Sequence, residues 1–189
     1  NANLVAISVP GAYAKFEALR ALKRGLHVFL FSGHVPVEDE VALKHVAVKK
    51  GLLLMGPDCG TAILNGVPLG FANAVPRGRV GIVSASGTGL QQVAVLLAVR
   101  GEGISQAIGV GGRDMTEQVG GLMTLQALDA LGADSSTELL IVIGKPPADR
   151  IRQQVEARLR ALGKPSVMAL LGRSIETRHD GVPAVAATL

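Results

Sequence analysis

The residues best suited to chemistry lie in Ser84-Ala85-Ser86-Gly87-Thr88-Gly89. This turn separates a short apolar, partly β-branched run at 80–83 from a stretch with helical apolar spacing at 90–97. A strand, a glycine turn and a helix in that order bring several backbone N–H groups to the positive end of a helix dipole, where an anion can dock. Ser86 or Thr88 can cap the helix, and Gly87 and Gly89 keep the approach clear. The same pattern also makes a plain strand-to-helix turn, and the loop alone does not separate that reading from a phosphate or carboxylate cradle.

Other chemistry-bearing residues follow apolar runs in the same way. Gly111-Gly112-Arg113-Asp114 follows a run at 104–110, and Arg113 offers a planar fork for a carboxylate or phosphate, or else forms a local ion pair. Cys59 lies in Gly56-Pro57-Asp58-Cys59-Gly60-Thr61. As a nucleophile it needs an activating base; none is identifiable, so it reads as a small buried residue. His179, between Arg178 and Asp180, can act as a phospho-acceptor whose tautomer a carboxylate fixes, or be a solvated loop histidine. His34 is a ligand candidate at a strand end, whereas His27 and His45 fall inside a strand and a helix and read as structural. Lys145, after the run at 139–143, puts a cation where an anionic ligand would be favoured.

These residues must be positioned by alternating elements. Strands are expected at 4–9, 26–31, 52–55, 80–83, 104–110, 139–143, 166–171 and 182–187. Helices are expected at 13–24, from about 38 to 50, from 90 onward, at 122–131 and from 146 to about 162. Residues 62–77, rich in glycine and proline, read as a crossing segment or an edge strand. The acids Glu38, Asp39 and Glu40 followed by Lys44, Lys49 and Lys50 complement a helix dipole. The fold class is α/β with parallel sheets, divided near Pro76 into a partial Rossmann-like domain (1–76) and a flavodoxin-like domain (77–189). In such sheets ligands gather at the C-terminal ends of the strands, where all of these loops fall.

Composition excludes several classes. The 189 residues are 48% hydrophobic, enough for a sizeable core, yet no apolar run is long enough to span a bilayer. A net charge of +4 without a basic tail, and 3% aromatic residues without tryptophan, argue against a nucleic-acid surface and suit a phosphorylated small molecule. The single cysteine excludes an internal disulfide, and no Cys/His cluster predicts a protein-bound metal, so a cytoplasmic setting is expected. Nicotinamide chemistry is disfavoured because the 84–89 turn lacks G-x-G-x-x-G spacing. Asn1 leads almost directly into an apolar run, so the chain is expected to be a segment of a longer polypeptide.

Gly56-Pro57-Asp58-Cys59-Gly60, Gly78 to Ser84 followed by Ser86-Gly87-Thr88, and Ile108-Gly109-Val110-Gly111-Gly112 resemble, in order and spacing, the α-subunit of succinyl-CoA synthetases. Within that superfamily these residues, with Leu69-Gly70-Phe71-Ala72-Asn73 and Lys145-Pro146-Pro147-Ala148, look most like the FdrA branch, described as acyl-CoA synthetase-like. The resemblance implies an NDP-forming acyl-CoA ligase-like activity. It implies phosphate at Ser86, Gly87 and Thr88; because one helix end binds an anion only weakly, the second loop of Gly111, Gly112 and Arg113 is expected to close on it from the other side. It places CoA and substrate in a crevice of Val9, Pro10, Ser32, Gly33, Asp58, Cys59 and Gly60, and carries the phosphohistidine role onto His179. The 178–181 loop departs from the family's Gly-His-Ala-Gly by lying a few residues early without the preceding glycine, and Lys145 stands where the family has a glutamate.

The expected ligands are thus CoA and an acyl or carbamoyl phosphate, with any nucleotide supplied through a partner domain or subunit, and a homo-oligomer is expected. Two alternatives accompany the ligase reading: a subunit of an oxamate carbamoyltransferase in allantoin catabolism, and a noncatalytic interaction module that retains the fold.

Overall fold

The computed structural model describes residues 2–170 and 184–186. Strand β1 (Leu4–Ile7), helix α1 (Gly11–Lys23) and strand β2 (His27–Leu30) form a βαβ unit, and α2 (Val37–Lys49) carries the chain to β3 (Leu54–Met55). The three strands are parallel, in the order β1-β2-β3. Both helices are entered through a proline, Pro10 and Pro36, whose fixed φ already suits a helix start.

Residues 62–77 hold a feature that the alternating pattern did not express. Strands β4 (Thr61–Leu64) and β5 (Val67–Gly70) pair as an antiparallel hairpin. Its Asn65-Gly66 turn has positive φ at both residues, the conformation that matches the twist of paired strands. Pro68 is tolerated because β5 is an edge strand.

The chain then alternates through β6 (Arg77–Ser84), α3 (Gly87–Val99), β7 (Ile104–Gly109), α4 (Leu122–Ala133), β8 (Leu139–Gly144), α5 (Asp149–Leu162), β9 (Ser166–Leu170) and β10 (Ala184–Ala186). The second sheet has the order β10-β9-β8-β6-β7-β4-β5. From β10 to β7 it is parallel, in the flavodoxin-like order expected, and the hairpin adds an antiparallel margin through the pairing of Ile63 with Ala107. The α/β class with mostly parallel sheets is as expected, β5 is the edge strand that residues 62–77 allowed, and the chain changes sheets between Met55 and Thr61, ahead of Pro76.

Alternation along β6 separates two apolar clusters. Val80 and Ile82 pack with Leu90 and Ala94 of α3, whereas Val83 packs with residues of α4 and α5 such as Leu128 and Val155. The α4/α5 cluster is continuous with the core of the first sheet.

A buried ionic cluster joins the two sheets. Lys44 of α2 is fully buried, and its Nζ donates to Glu40 Oε1 at 2.7 Å, Asp114 Oδ1 at 2.7 Å and the Val110 carbonyl at 2.9 Å. All three ammonium protons are thereby satisfied, which a desolvated cation requires. Asp114 in turn accepts from the N–H of Met123 and the N–H and hydroxyl of Thr124, serving the open N-terminus of α4 behind Gly121. Lys44, grouped from sequence with Lys49 and Lys50 as a base that complements the helix dipole, is thus committed to this interior cluster.

Lys44→Met should cost about 3–5 kcal/mol, because it leaves Asp114 and Glu40 buried beside a lost cation. Lys15→Ala, which breaks the part-exposed Lys15–Asp39 pair, should cost less than about 1 kcal/mol. Urea denaturation measures both; equal losses would contradict the ranking.

Candidate functional site

The loops at the C-terminal ends of five strands converge. After β1, the Val9 N–H donates to Ser32 Oγ at 3.0 Å, which ties the Val9-Pro10 corner to the end of β2. After β3, the Asp58 N–H donates to the Ser32 carbonyl at 3.0 Å and the Cys59 N–H to the Leu30 carbonyl at 3.2 Å. Val9, Ser32, Gly33, Asp58 and Cys59, drawn from three separated stretches, are thereby brought together, and Pro10 opens α1 beside them.

The glycine turn after β6 is organised by two serines. Ser84 Oγ accepts from the Ser86 N–H at 3.0 Å and donates to the Ser86 carbonyl at 2.7 Å, which fixes the turn; Ser86 is then the N-cap of α3, accepting from the Gly89 N–H at 3.2 Å. Of the two capping candidates Ser86 takes the role, and Thr88 lies within the first turn. Gly87 and Thr88 are exposed, and as the first two residues of the helix their N–H groups have no intrahelical acceptor.

Gly109, Gly111 and Gly112 face this turn, since all three share a small cleft with Ser84, Ala85, Gly87 and the 58–61 loop. The cleft measures only about 20 Å³, close to the space of one water molecule, so a group the size of phosphate does not fit inside it. Sequence reasoning left Thr61 and Gln91 out of this site. Gln91 Nε2 donates to Thr61 Oγ1 at 2.8 Å, pinning α3 to the hairpin beside Gly87, and only the tertiary pairing of β4 with β7 reveals it.

Two residues have other duties than those considered from sequence. Arg113 donates from Nε to Glu40 Oε2 at 2.9 Å and from Nη2 to the Val35 carbonyl at 2.8 Å. Its ion-pair partner is thus Glu40, because the neighbouring Asp114 is consumed by Lys44 and α4, and two of its donors are committed before any ligand arrives. Cys59 is buried, with Sγ 3.4 Å from the Gly109 carbonyl and 3.6 Å from the Thr61 carbonyl. Burial pushes its thiol up to about 11, so it is neutral at physiological pH. His27 accepts the Leu53 N–H at Nδ1, and partial burial lowers its pKa, consistent with a structural role. His179 lies outside the described residues. Among the described residues no group of three or more His, Cys, Asp or Glu side chains could hold a metal ion.

A larger hollow of about 290 Å³ opens on the other side of Ala85 and Gly112, with Met115, Thr116 and Lys145 in its walls. It lies between the loops that follow β6, β7 and β8.

With this geometry in view, relatives and solved structures are informative. No protein-family model matches the chain. The chain is 54% identical over 178 residues to the uncharacterized protein YahF of Escherichia coli (strain K12), covering 94% of this chain and 34% of YahF. It is 29% identical over 166 residues to the succinate–CoA ligase [ADP-forming] subunit alpha of Methanothermobacter thermautotrophicus, covering 86% of this chain and 55% of that subunit. It is 32% identical over 150 residues to the mitochondrial subunit alpha-2 of the same ligase from Trichomonas vaginalis, covering 77% and 47%. These relatives support the superfamily of succinate–CoA ligase α-subunits. The chain spans about half the length of those ligase subunits and about a third of YahF. In fold it is similar to the dinucleotide-forming acetyl-coenzyme A synthetase 1 of Ca. Korarchaeum cryptofilum, with a TM-score of 0.71 at 19% identity over 91% of this chain and 38% of that one. It is also similar to the ATP citrate lyase of Methanothrix soehngenii, with a TM-score of 0.74 at 18% identity over 96% and 32%. No helix among the described residues is long and apolar enough to cross a membrane.

Two measurements check this geometry. Gly87→Ala should fold like the parent, since its Cβ would lie 3.4 Å from Thr61 Oγ1, whereas Gly109→Ala should melt far lower because its Cβ would lie 2.3 Å from the Thr61 carbonyl oxygen. Cys59 should resist thiol reagents in the native protein at pH 8 and react on unfolding. Because its folded pKa is raised, its contribution to stability is present below the unfolded thiol's pKa and is lost as pH rises from about 9 towards about 11. Rapid native-state labelling would contradict the burial.

Proposed function

We propose that the chain is a fragment or subunit of an FdrA-type, NDP-forming acyl-CoA ligase-like protein, and that it holds the phosphoryl group of an acyl phosphate at the Ser86-Gly87-Thr88 turn. The carrying observation is the convergence of that turn with the Gly109 to Gly112 loop and the 58–61 loop around one cleft. The ligase relatives supply the reaction class, and the free N–H groups of Gly87 and Thr88 supply the anion preference.

CoA would enter over Val9, Pro10, Ser32 and Gly33 and approach the cleft past Asp58. Cys59, neutral and buried, takes no nucleophilic part. The phosphoryl oxygens would meet the turn's N–H groups, which strengthen as negative charge gathers on them. Dipole and donors at one helix end are worth about 1–2 kcal/mol, so tight binding needs the facing loop of Gly111 and Gly112, with remaining domains or a partner subunit supplying the rest. A carbamoyl phosphate would use the same turn, which keeps the oxamate carbamoyltransferase reading within this arrangement.

Calorimetric titration with acetyl phosphate, carbamoyl phosphate and CoA tests the proposal. The parent should bind the acyl phosphates, Gly87→Val should weaken that binding at least tenfold while remaining folded, and Thr88→Ala should do less, because backbone donors make most of the contact. Equal acyl phosphate binding by the parent and Gly87→Val would remove the turn from the site. Stable folding with no response to any of the three ligands would leave the noncatalytic module.

A further inference from the structure

Four side chains with polar atoms line the small cleft beside Gly87, and three of them have nothing to give a ligand oxygen. Ser84 uses its hydroxyl twice, accepting from the Ser86 N–H and donating to the Ser86 carbonyl. The Cys59 thiol, a weak donor, is held between the carbonyls of Thr61 and Gly109. Asp58 brings an acceptor only, and its Oδ1 lies 3.7 Å from where a Cβ on Gly33 would be, towards the end of β2. Thr61 differs from all three. It is 1% exposed, its Oγ1 accepts from Gln91 Nε2 at 2.8 Å, and among the described residues no hydrogen bond uses its own O–H.

A buried donor without an acceptor is costly, so such a group ordinarily meets an ordered water or a ligand. Gln91 decides how the hydroxyl is used. Its amide N–H occupies one side of Oγ1, which leaves the threonine proton to turn away from that amide and makes Thr61 a donor towards the cleft it lines. Gly87 keeps that hydroxyl uncovered, because a Cβ at this position would lie only 3.4 Å from Oγ1. The free proton therefore sits beside the first open N–H of α3. A cleft of about 20 Å³ excludes a whole phosphate, yet the space of one water is also the space of one phosphoryl oxygen.

We propose that Thr61 is a further binding residue of the anion site: one phosphoryl oxygen enters the cleft and accepts the Thr61 O–H, while the others stay at its mouth against the N–H groups of Gly87 and Thr88. Gln91 is its positioning residue. The inference rests on the acyl phosphate reading of the turn, but its test is separable. Acetyl phosphate is titrated by calorimetry into the parent and into Thr61→Val, Thr61→Ser, Gln91→Met and Gly87→Val, with melting of each variant measured without ligand. Thr61→Val keeps the side-chain shape and should weaken binding about tenfold, the scale of one hydrogen bond to a charged group. Thr61→Ser should bind like the parent, and Gln91→Met, which leaves the hydroxyl present but unoriented, should fall between. In the labelled parent, the Gln91 side-chain amide resonances should shift with the same dissociation constant as the Gly87 amide, because a hydroxyl that donates to an anion polarises the bond it accepts. A purely structural Gln91–Thr61 bond would not move them, and this signal decides the matter if Thr61→Val fails to fold. Parent-like binding by Thr61→Val or Gln91→Met while Gly87→Val is weakened, or an unmoved Gln91 signal, would overturn the proposal and leave the turn in place. Weakened binding by Thr61→Val with parent-like binding by Gly87→Val would uphold Thr61 and overturn the reading of the turn. A parent that ignores acetyl phosphate would overturn both.

Discussion

The arrangement depends on burying Lys44. An ammonium removed from water is tolerated only with every proton paired, and the three acceptors it finds come from α2, from the end of β7 and from the loop before α4. Satisfying one cation therefore fixes three pieces of chain that no local propensity would bring together. The Val110 carbonyl holds the start of the Gly111-Gly112 loop, Asp114 orients α4, and Glu40 draws Arg113 back across the same junction. The loop that faces the Ser86-Gly87-Thr88 turn is thus anchored from the interior, and the first sheet is coupled to the second through charge as well as apolar packing.

Much of the fold was legible because the apolar runs and the glycines that end them are local signals. Gly25 and Gly51, both with positive φ, close the first two helices as their positions suggested. The hairpin at 61–70 escaped because Val67-Pro68-Leu69 carries a proline and too few residues for a clear alternation. Lys44 escaped for a different reason. Its spacing from Glu40 marks a helix pair, but only the fold shows that the pair faces inward with Leu43 and Ala47, and that Asp114 arrives seventy residues later.

The site divides in the same way. Ser86 as one of two candidate caps and Gly87 as the bare helix start follow from local chemistry, whereas the neutrality of Cys59 comes from burial that only the fold supplies. Gln91 and Thr61 are ordinary polar residues in sequence and become neighbours of the turn only through the antiparallel margin. Arg113 shows the limit most clearly. A guanidinium after two glycines at a strand end suggests a ligand contact, yet a buried glutamate from the other half of the chain engages it first. Charged residues are hard to assign from sequence because their strongest partners are nonlocal, whereas backbone donors at a helix start are set by a few consecutive residues.

The central claim is that the Ser86-Gly87-Thr88 turn and the Gly111-Gly112 loop form one anion site. Titrating inorganic phosphate into the isotopically labelled protein and following backbone amides by nuclear magnetic resonance tests it most directly. The account predicts saturable shifts of the Gly87, Thr88, Gly111 and Gly112 amides with a common dissociation constant. Shifts confined to other residues, or different constants for the two loops, would contradict it.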